Sequence, residues 1–262
     1  GGLFTVLGIE TSCDDTGVAI VRSDGVILGQ AVASQHKIHE EFGGIRPSLA
    51  RDAHVKNLDA LVQTALDEAG MLETEVDAFA STVGPGLELC LRVGANLGRN
   101  MAKHQNKPFV GVHHLEAHCL LARASLRTNQ NIQEKEEEDE KIDFPFVALL
   151  VSGGHCQILL VHGVGRYTVL GSTLDDAVGE AFDKAARMLG LASSTNGGPV
   201  IEKIAREGDP NSYALPLPMS NAKNRKGCNF SFSGLKNAFR LTVQKSLFLD
   251  ELIEFENEDD AR

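Results

Sequence analysis

Two histidines four residues apart give the sequence its clearest candidate for metal chemistry. His114 and His118 lie at i and i+4 of the segment 113–118 (HHLEAH). Residues at that spacing share one face of a helix, so both imidazoles could bind one metal ion. The zinc-protease motif needs Glu directly after the first histidine as general base, but Leu115 occupies that position. The pair permits a metal site if a third ligand comes from elsewhere in the chain. The alternative is that both are surface or capping histidines. The zinc-protease function is disfavoured.

Two polar turns between apolar segments are candidates for binding an anion. They are residues 8–16 (GIETSCDDT) and 150–155 (LVSGGH). Small residues and hydroxyls in a tight hairpin let backbone N–H groups converge on a phosphate. Asp14 and Asp15 stand where a metal or an attacking group would need a carboxylate. Either turn alone is ordinary turn chemistry, but two turns at matching positions of similar segments favour phosphate binding.

A third group of candidate contacts follows the second turn. Residues 175–187 predict an amphipathic helix with Glu180, Asp183 and Arg187 on one face. An acid in that position could accept hydrogen bonds from ribose hydroxyls, although an ion pair between Asp183 and Arg187 explains the pattern equally well. Residues 196–199 (NGGP) predict a turn before another helix.

Residues 229–236 (NFSFSGLK) alternate phenylalanines with serines before a basic helix. We expect the phenylalanines in the core, whereas Ser231, Ser233 and Lys236 could face a ligand. The surrounding segment 221–245 has six basic residues and no acid, which makes it a possible footprint for RNA phosphates. A solvated surface with scattered lysines is the alternative.

The elements that position these groups form a repeated pattern. Each of the segments 3–21 and 146–161 reads as strand, polar turn and strand, and a third strand follows each. Pro47 opens a long helical pattern that Gly70 ends. Duplicated β-meanders followed by helices predict an α/β protein of the actin, sugar-kinase and Hsp70 (ASKHA) fold class. We expect an N-terminal lobe at 1–127, an acidic linker at 128–143 and a second lobe at 144–262.

Composition narrows the class of protein. The 262 residues have a net charge of −11, but the acidic segments 134–143 and 250–262 account for it and leave the rest about neutral. No apolar run approaches the roughly 18 residues that cross a bilayer. The five cysteines form no C-x-x-C pair, so we expect reduced thiols. The N-terminal residues resemble a processed end or a tag remnant, so we expect any targeting segment to be gone.

Together these segments resemble one family. The resemblance extends to about residue 245 and is carried, in order, by GIETSCDDT, GPGL at 84–87, HHLEAH, LLVSGGH, DDAVGEAFDKAARMLG, GGP at 197–199 and FSFSGLK. This is the order seen in the transferases that form threonylcarbamoyladenosine in tRNA. The resemblance implies an enzyme that moves the threonylcarbamoyl group from threonylcarbamoyl-AMP to the N6 amine of the adenosine 3′ of the anticodon in tRNAs that decode ANN codons.

The resemblance also assigns the site. It implies one divalent metal ion, iron or zinc, held by His114 and His118, and an acidic pair, Asp14 and Asp15, near the reacting centre. The adenylate contacts it implies are Leu150, Val151, Ser152, Gly153, Gly154, Asp183 and Gly198. The implied partners are tRNA, threonylcarbamoyl-AMP and a second copy or partner subunits, with no membrane.

Two departures from the family pattern qualify these expectations. Many members have Asp-Glu where this chain has Asp14-Asp15. This pair, with His155-Cys156, resembles the mitochondrial branch of the family, so we expect a mitochondrial protein. A cytoplasmic protein is the alternative. Members also continue beyond residue 262 with a nucleotide loop and an Asp that completes the metal site, so we expect a truncated chain that performs the transfer poorly or not at all. The alternative functions are those of an ASKHA ATPase or kinase and of a noncatalytic partner protein.

Overall fold

Each half of the chain begins with a three-stranded antiparallel meander. The computed structural model describes residues 2–42, 44–124, 127–128, 142–191, 197–220 and 227–259. The chain divides into two compact units, unit 1 at residues 1–144 and unit 2 at 145–262. Each unit has its own sheet, of six strands in unit 1 and three in unit 2.

The sheet of unit 1 has the strand order β5-β4-β1-β2-β3-β6. Its strands are β1 (Thr5–Glu10), β2 (Asp15–Arg22), β3 (Val26–Ser34), β4 (Ala78–Gly84), β5 (Phe109–His113) and β6 (Arg127–Thr128). Strand β2 is antiparallel to both of its neighbours, whereas the β1–β4, β4–β5 and β3–β6 pairs are parallel. The carboxyl ends of β1, β4 and β5 therefore lie at one edge, where the first polar turn begins.

The helices of unit 1 are α1 (His36–Glu40), α2 (Pro47–Ala69), α3 (Glu88–His104) and α4 (His114–Leu121), with a short 3₁₀ turn at Glu73–Glu75. Helix α2 confirms the predicted boundaries. Proline is favoured in the first helical turn, where its missing N–H costs no hydrogen bond. Gly70 ends the helix in the left-handed conformation with φ of 63°, which glycine adopts without a steric penalty.

The core of unit 1 lies between its sheet and helices α2 and α3. Leu7, Ile20 and Phe79 are each 0% exposed, and burying such a side chain contributes roughly 1.5–3 kcal/mol. Helix α3 approaches the first polar turn closely because Gly94 has no side chain. A Cβ atom at Gly94 would lie 2.5 Å from Oγ1 of Thr11. Helix α3 therefore packs directly against Thr11, at the start of that turn.

Unit 2 contains β7 (Phe146–Val151), β8 (Cys156–Gly163) and β9 (Arg166–Ser172), followed by α5 (Val178–Met188), α6 (Gly197–Ala205) and α7 (Ser233–Asp259). The strands pair in the order β7-β8-β9, all antiparallel. The helix predicted from residue 175 begins later, at Val178. The turn predicted at 196–199 is wrong for residues 197–199, which form the first turn of α6.

The predicted ASKHA-type α/β fold class is confirmed by the two meanders in separate sheets. The lobe boundaries 1–127, 128–143 and 144–262 stay a prediction, because most of the acidic segment lies outside the described residues. Within the part of the chain that the structure describes, no helix is both long and apolar enough to cross a membrane. All five cysteines are free thiols.

Candidate functional site

The histidine pair occupies the start and middle of helix α4, directly after strand β5. The Nε2 atoms of His114 and His118 lie 3.2 Å apart, as the i, i+4 spacing predicts. The third histidine of the motif has a different position, since His113 is the N-cap of α4 and its Nδ1 accepts a hydrogen bond from the Glu116 N–H at 3.4 Å. The motif thus separates into one capping residue and two side chains that converge.

The second nitrogen of His114 faces a carboxylate that the sequence did not single out. Nδ1 of His114 lies 3.5 Å from Oε2 of Glu10 and 3.3 Å from Oγ of Ser12. A carboxylate behind a histidine fixes the ring and its tautomer, and it leaves the other nitrogen available to a metal. Glu10 and Ser12 are therefore the orienting groups of the pair.

Glu10 is itself held firmly at the end of β1. Its Oε1 accepts a hydrogen bond from the Ser12 N–H at 2.5 Å, and its Oε2 accepts one from the Thr82 hydroxyl. Burial raises the pKa of Glu10, but the hydrogen bonds from Ser12 and Thr82, with the charge of His114, outweigh it and leave the pKa below its usual value. Glu10 is thus a carboxylate at neutral pH.

The geometry of the two Nε2 atoms fits one shared metal ion. Metal–nitrogen bonds of about 2.0–2.1 Å at a tetrahedral or octahedral centre place two nitrogens about 3 Å apart, close to the 3.2 Å observed. Among the residues that the structure describes, no group of three or more His, Cys, Asp and Glu side chains could hold a metal. Within the described part of the chain, the pair thus offers two nitrogens to a metal ion.

The histidines line a cleft of about 520 Å³ on the sheet of unit 1. Glu10 and Thr82 also line it, and its floor consists mainly of small and aliphatic residues of β1, β2 and β4. A cleft with an apolar floor and a few converging polar groups suits a small organic ligand. The cleft is open to a reactant next to the His114–His118 pair.

The acidic pair lies two and three residues after Ser12. Asp14 is half-buried and Asp15, the first residue of β2, is exposed. Cys13 precedes them, and burial together with the Asp14 carboxylate raises the pKa of its thiol to about 12. Cys13 is therefore a neutral thiol and no nucleophile at physiological pH. The structure places the carboxylates on the same turn as Ser12, which contacts His114.

The second predicted turn, in unit 2, packs against the first turn of α5. Ser152 closes it, donating its N–H to the His155 carbonyl at 2.9 Å and accepting the His155 N–H on Oγ at 2.9 Å. The Gly179 N–H donates to the Ser152 carbonyl at 3.2 Å. A Cβ at Gly179 would lie 2.7 Å from Cα of Gly153. The turn at Leu150–Gly154 thus sits on a helix N-terminus, which carries partial positive charge, and Gly179 permits that contact.

The two further residues predicted to contact the adenylate, Asp183 and Gly198, lie near each other through a hydrogen bond to the residue between them in the structure, Gly197. Oδ1 of Asp183 accepts the Gly197 N–H at 2.8 Å, and Gly198 follows in the chain. In the described residues Asp183 forms no ion pair with Arg187; the lysine one position on, Lys184, pairs with Asp176 at 2.6 Å and Glu180 at 2.8 Å. Asp183 therefore joins α5 to α6 and holds Gly198 beside it.

The residues suggested as ligand contacts in the NFSFSGLK segment bind instead within unit 2. The Ser231 hydroxyl and the N–H groups of Phe232 and Ser233 donate to Asp175. Burial raises the pKa of Asp175, but these hydrogen bonds bring it to about 2. Lys236 similarly donates to Asp176. These groups fix the start of α7. Residues 221–226 of the predicted RNA footprint at 221–245 lie outside the described residues.

Comparisons with known proteins show what the chain is similar to. A family profile described as tRNA N6-adenosine threonylcarbamoyltransferase (TsaD) matches residues 26–259. An Arabidopsis thaliana protein named "Probable tRNA N6-adenosine threonylcarbamoyltransferase, mitochondrial" is 48% identical over 92% of this chain and 47% of its own length. A Paramagnetospirillum magneticum tRNA N6-adenosine threonylcarbamoyltransferase is 47% identical over 91% of this chain and 63% of its own length.

Among solved structures, YeaZ from Pseudomonas aeruginosa is similar with a TM-score of 0.38 and 20% identity, over 64% of this chain and 65% of that one. The chain spans between about half and two thirds of the length of the two curated relatives.

Proposed function

Because the chain belongs to the tRNA N6-adenosine threonylcarbamoyltransferase family, we propose that the full-length protein transfers a threonylcarbamoyl group to tRNA. The donor is threonylcarbamoyl-AMP, and the acceptor is the N6 amine of the adenosine 3′ of the anticodon in ANN-decoding tRNAs. The amine nitrogen forms a bond to the carbamoyl carbon, and the bond from that carbon to the phosphate oxygen breaks. AMP leaves, and the amine loses one proton.

The observation that carries this proposal is the His114–His118 pair, backed by Glu10 in the cleft of unit 1. Their 3.2 Å separation and the ionised Glu10 suit one divalent metal, iron or zinc. Such an ion, when bound, supplies Lewis-acid stabilisation of negative charge on a phosphate or carbonyl oxygen. His114 and His118 hold it, and Glu10 and Ser12 keep the His114 ring in the orientation that binding needs.

The acidic pair provides the proton acceptor. Asp14 is half-buried at the end of the turn, and Asp15 is exposed beside it. A carboxylate that takes the amine proton as the new bond forms lowers the barrier for transfer. We assign that role to Asp14 and assign Asp15 to orienting the incoming amine.

Unit 2 supports the adenylate part of the donor. The turn Leu150, Val151, Ser152, Gly153 and Gly154 offers backbone N–H groups beside the N-terminus of α5, a favourable place for a phosphate. Asp183 and Gly198, joined through Gly197, are the proposed contacts for the ribose and the base. Fixing the leaving group in this way converts the encounter of donor and tRNA into a reaction of aligned groups.

The proposed compartment is supported by the name of one relative, and the proposed assembly by the family resemblance alone. The Arabidopsis relative carries "mitochondrial" in its name, and we propose that this protein acts in mitochondria, with a second copy or a partner subunit. Imaging of the full-length protein with its native N-terminus tests the compartment, and a purely cytosolic signal contradicts it. Light scattering of the purified protein tests for a dimer.

The activity is tested directly with the full-length protein. Purified protein is incubated with threonylcarbamoyl-AMP and unmodified ANN-decoding tRNA, and the digested tRNA is analysed for N6-threonylcarbamoyladenosine by mass spectrometry. The modified nucleoside is expected only when donor and tRNA are both present. If no tRNA is modified while ATP is hydrolysed rapidly without tRNA, an ASKHA ATPase replaces the proposal.

A further inference from the structure

A buried chain of polar side chains in unit 1 ends at the backbone just before the acidic pair. The chain consists of three side chains that are each 0% exposed: His54 on α2, Thr16 on β2 and Gln35 at the N-cap of α1. Nδ1 of His54 lies 2.7 Å from the Thr16 hydroxyl and 3.2 Å from Nε2 of Gln35. Its other nitrogen, Nε2, lies 3.0 Å from the carbonyl oxygen of Cys13. None of these side chains has a role in the transfer described above.

The neighbouring contacts determine which nitrogen of His54 carries the proton. Nε2 of Gln35 donates to the Ala50 carbonyl at 3.2 Å, and its Oε1 lies 3.1 Å from Nε2 of His39. The amide nitrogen therefore faces His54, and because it is a donor, Nδ1 of His54 must accept. The proton then resides on Nε2, which donates to the Cys13 carbonyl. Burial lowers the pKa of His54, in agreement with a neutral ring.

We propose that His54 is a positioning residue for the acidic pair, in which the neutral Nε2–H tautomer holds the Cys13 carbonyl and thereby fixes the turn that carries Asp14 and Asp15. The proposal rests on the proposed transferase function for what the pair does, but the tautomer and the turn geometry stand apart from it. His54 is 0% exposed, so it acts through the turn and not on a substrate.

A second bond from the same buried layer holds the next peptide. The Gln35 N–H donates to the Asp14 carbonyl at 3.0 Å, so the consecutive carbonyls of Cys13 and Asp14 are both bonded from below the turn. The bonds restrain the backbone at the point where the half-buried Asp14 and the exposed Asp15 leave it. A buried donor that loses its partner costs free energy, so the layer favours one conformation of the turn. Catalytic groups held to within a fraction of an ångström depend on such support.

The first test measures the tautomer. ¹⁵N-histidine-labelled full-length protein is examined by NMR at neutral pH, and the His54 signals are assigned by their loss in His54→Gln. The proposal requires Nδ1 at the shift of an unprotonated nitrogen and Nε2 at that of a protonated one. The reverse assignment, or a charged ring, overturns it. This result does not depend on activity, so it is separable from failure of the proposed function, which an inactive wild-type protein would show.

The second test separates positioning from general stability. His54→Gln keeps an amide N–H near the position of Nε2, whereas His54→Leu keeps the side-chain volume and removes the donor. His104→Gln, at the exposed end of α3, is the control variant. For His54→Leu we expect kcat to fall about 10–100-fold, as for residues that orient others, with metal stoichiometry and the KM for tRNA unchanged. His54→Gln is expected to recover most of kcat. Unchanged kcat in folded His54→Leu, or a glutamine variant no better than leucine at equal folded fraction, overturns the proposal.

Discussion

The carboxylate of Glu10 lies against the imidazole of His114, with Oε2 of Glu10 3.5 Å from Nδ1 of His114. The contact joins the end of β1 to the start of α4, two elements separated by most of unit 1 in sequence. The contact restrains the His114 ring in the orientation that directs its Nε2 atom at His118.

Replacing Glu10 with Gln is expected to weaken metal binding about 10–100-fold, the usual effect of losing a partner that orients a ligand. The amide keeps the shape but not the charge that holds the Nδ1 proton of His114. Titration of metal-free protein with Zn²⁺ or Fe²⁺ measures the change. Glu88→Gln is the matched control, since Glu88 is an exposed residue that pairs with Arg92 on the same helix. Equal affinities in the two variants would remove Glu10 from the site.

A methyl group at Gly179 is expected to displace the proposed phosphate turn of unit 2. The added Cβ would lie 2.7 Å from Cα and 2.9 Å from N of Gly153, and backbone atoms cannot move away as a flexible side chain can. Gly179→Ala should therefore raise the Kd for AMP about tenfold or more, an energy cost of about 1.4 kcal/mol. Isothermal titration calorimetry gives the Kd. Gly208→Ala, whose Cβ meets only the Ala205 carbonyl at 3.5 Å, should bind AMP like the wild type, and a normal Kd for Gly179→Ala contradicts the placement of the site.

Asp175 should stabilise the start of α7 in a pH-dependent way. Because its pKa is lowered to about 2, its contribution is fully present above the ordinary Asp pKa near 4 and is lost as the pH falls toward 2. Asp175→Asn should be less stable than the wild type at pH 7, and the difference should narrow below about pH 4. Urea unfolding of both proteins from pH 7 down to pH 2.5 measures it. A difference that stays constant with pH would show that the charge is not involved.

Cys13 should resist alkylation despite its position beside the candidate site. With a pKa of about 12, only about one thiol in ten thousand is ionised at pH 8, and the thiolate is the reactive form. Iodoacetamide should therefore label the exposed Cys228 long before Cys13. Peptide mass spectrometry over a time course reports both sites at once. Rapid labelling of Cys13 in the folded protein would mean that its thiol is activated and has a chemical role.

The sequence predicted those features that depend on short-range pattern. Pro47 and Gly70 bounded α2, the meanders followed from alternating apolar residues and polar turns, and the i, i+4 spacing of His114 and His118 was sufficient to place them on one helix face. Each of these is determined within one turn or one strand pair, where backbone geometry leaves few alternatives.

Contacts between distant segments could not be read in this way. Glu10 lies more than a hundred residues before His114, and the only local signal was a carboxylate at the end of an otherwise apolar strand. Ser231 and Lys236 were open candidates for ligand contacts, but Asp175 and Asp176 take up their hydrogen bonds. The helix start at Gly197 was mistaken for a turn because Gly-Gly-Pro suits both a loop and a helical first turn.

The most direct test of the central claim measures metal content and tRNA modification on the same samples. Full-length wild type and His114→Ala/His118→Ala are stripped of metal, reloaded with Zn²⁺ or Fe²⁺, analysed by plasma mass spectrometry and assayed for N6-threonylcarbamoyladenosine. We expect one metal ion per wild-type chain, with modification restored on reloading, and neither metal nor modification in the folded double variant. Full modification by the double variant, or by metal-free wild type, would contradict it.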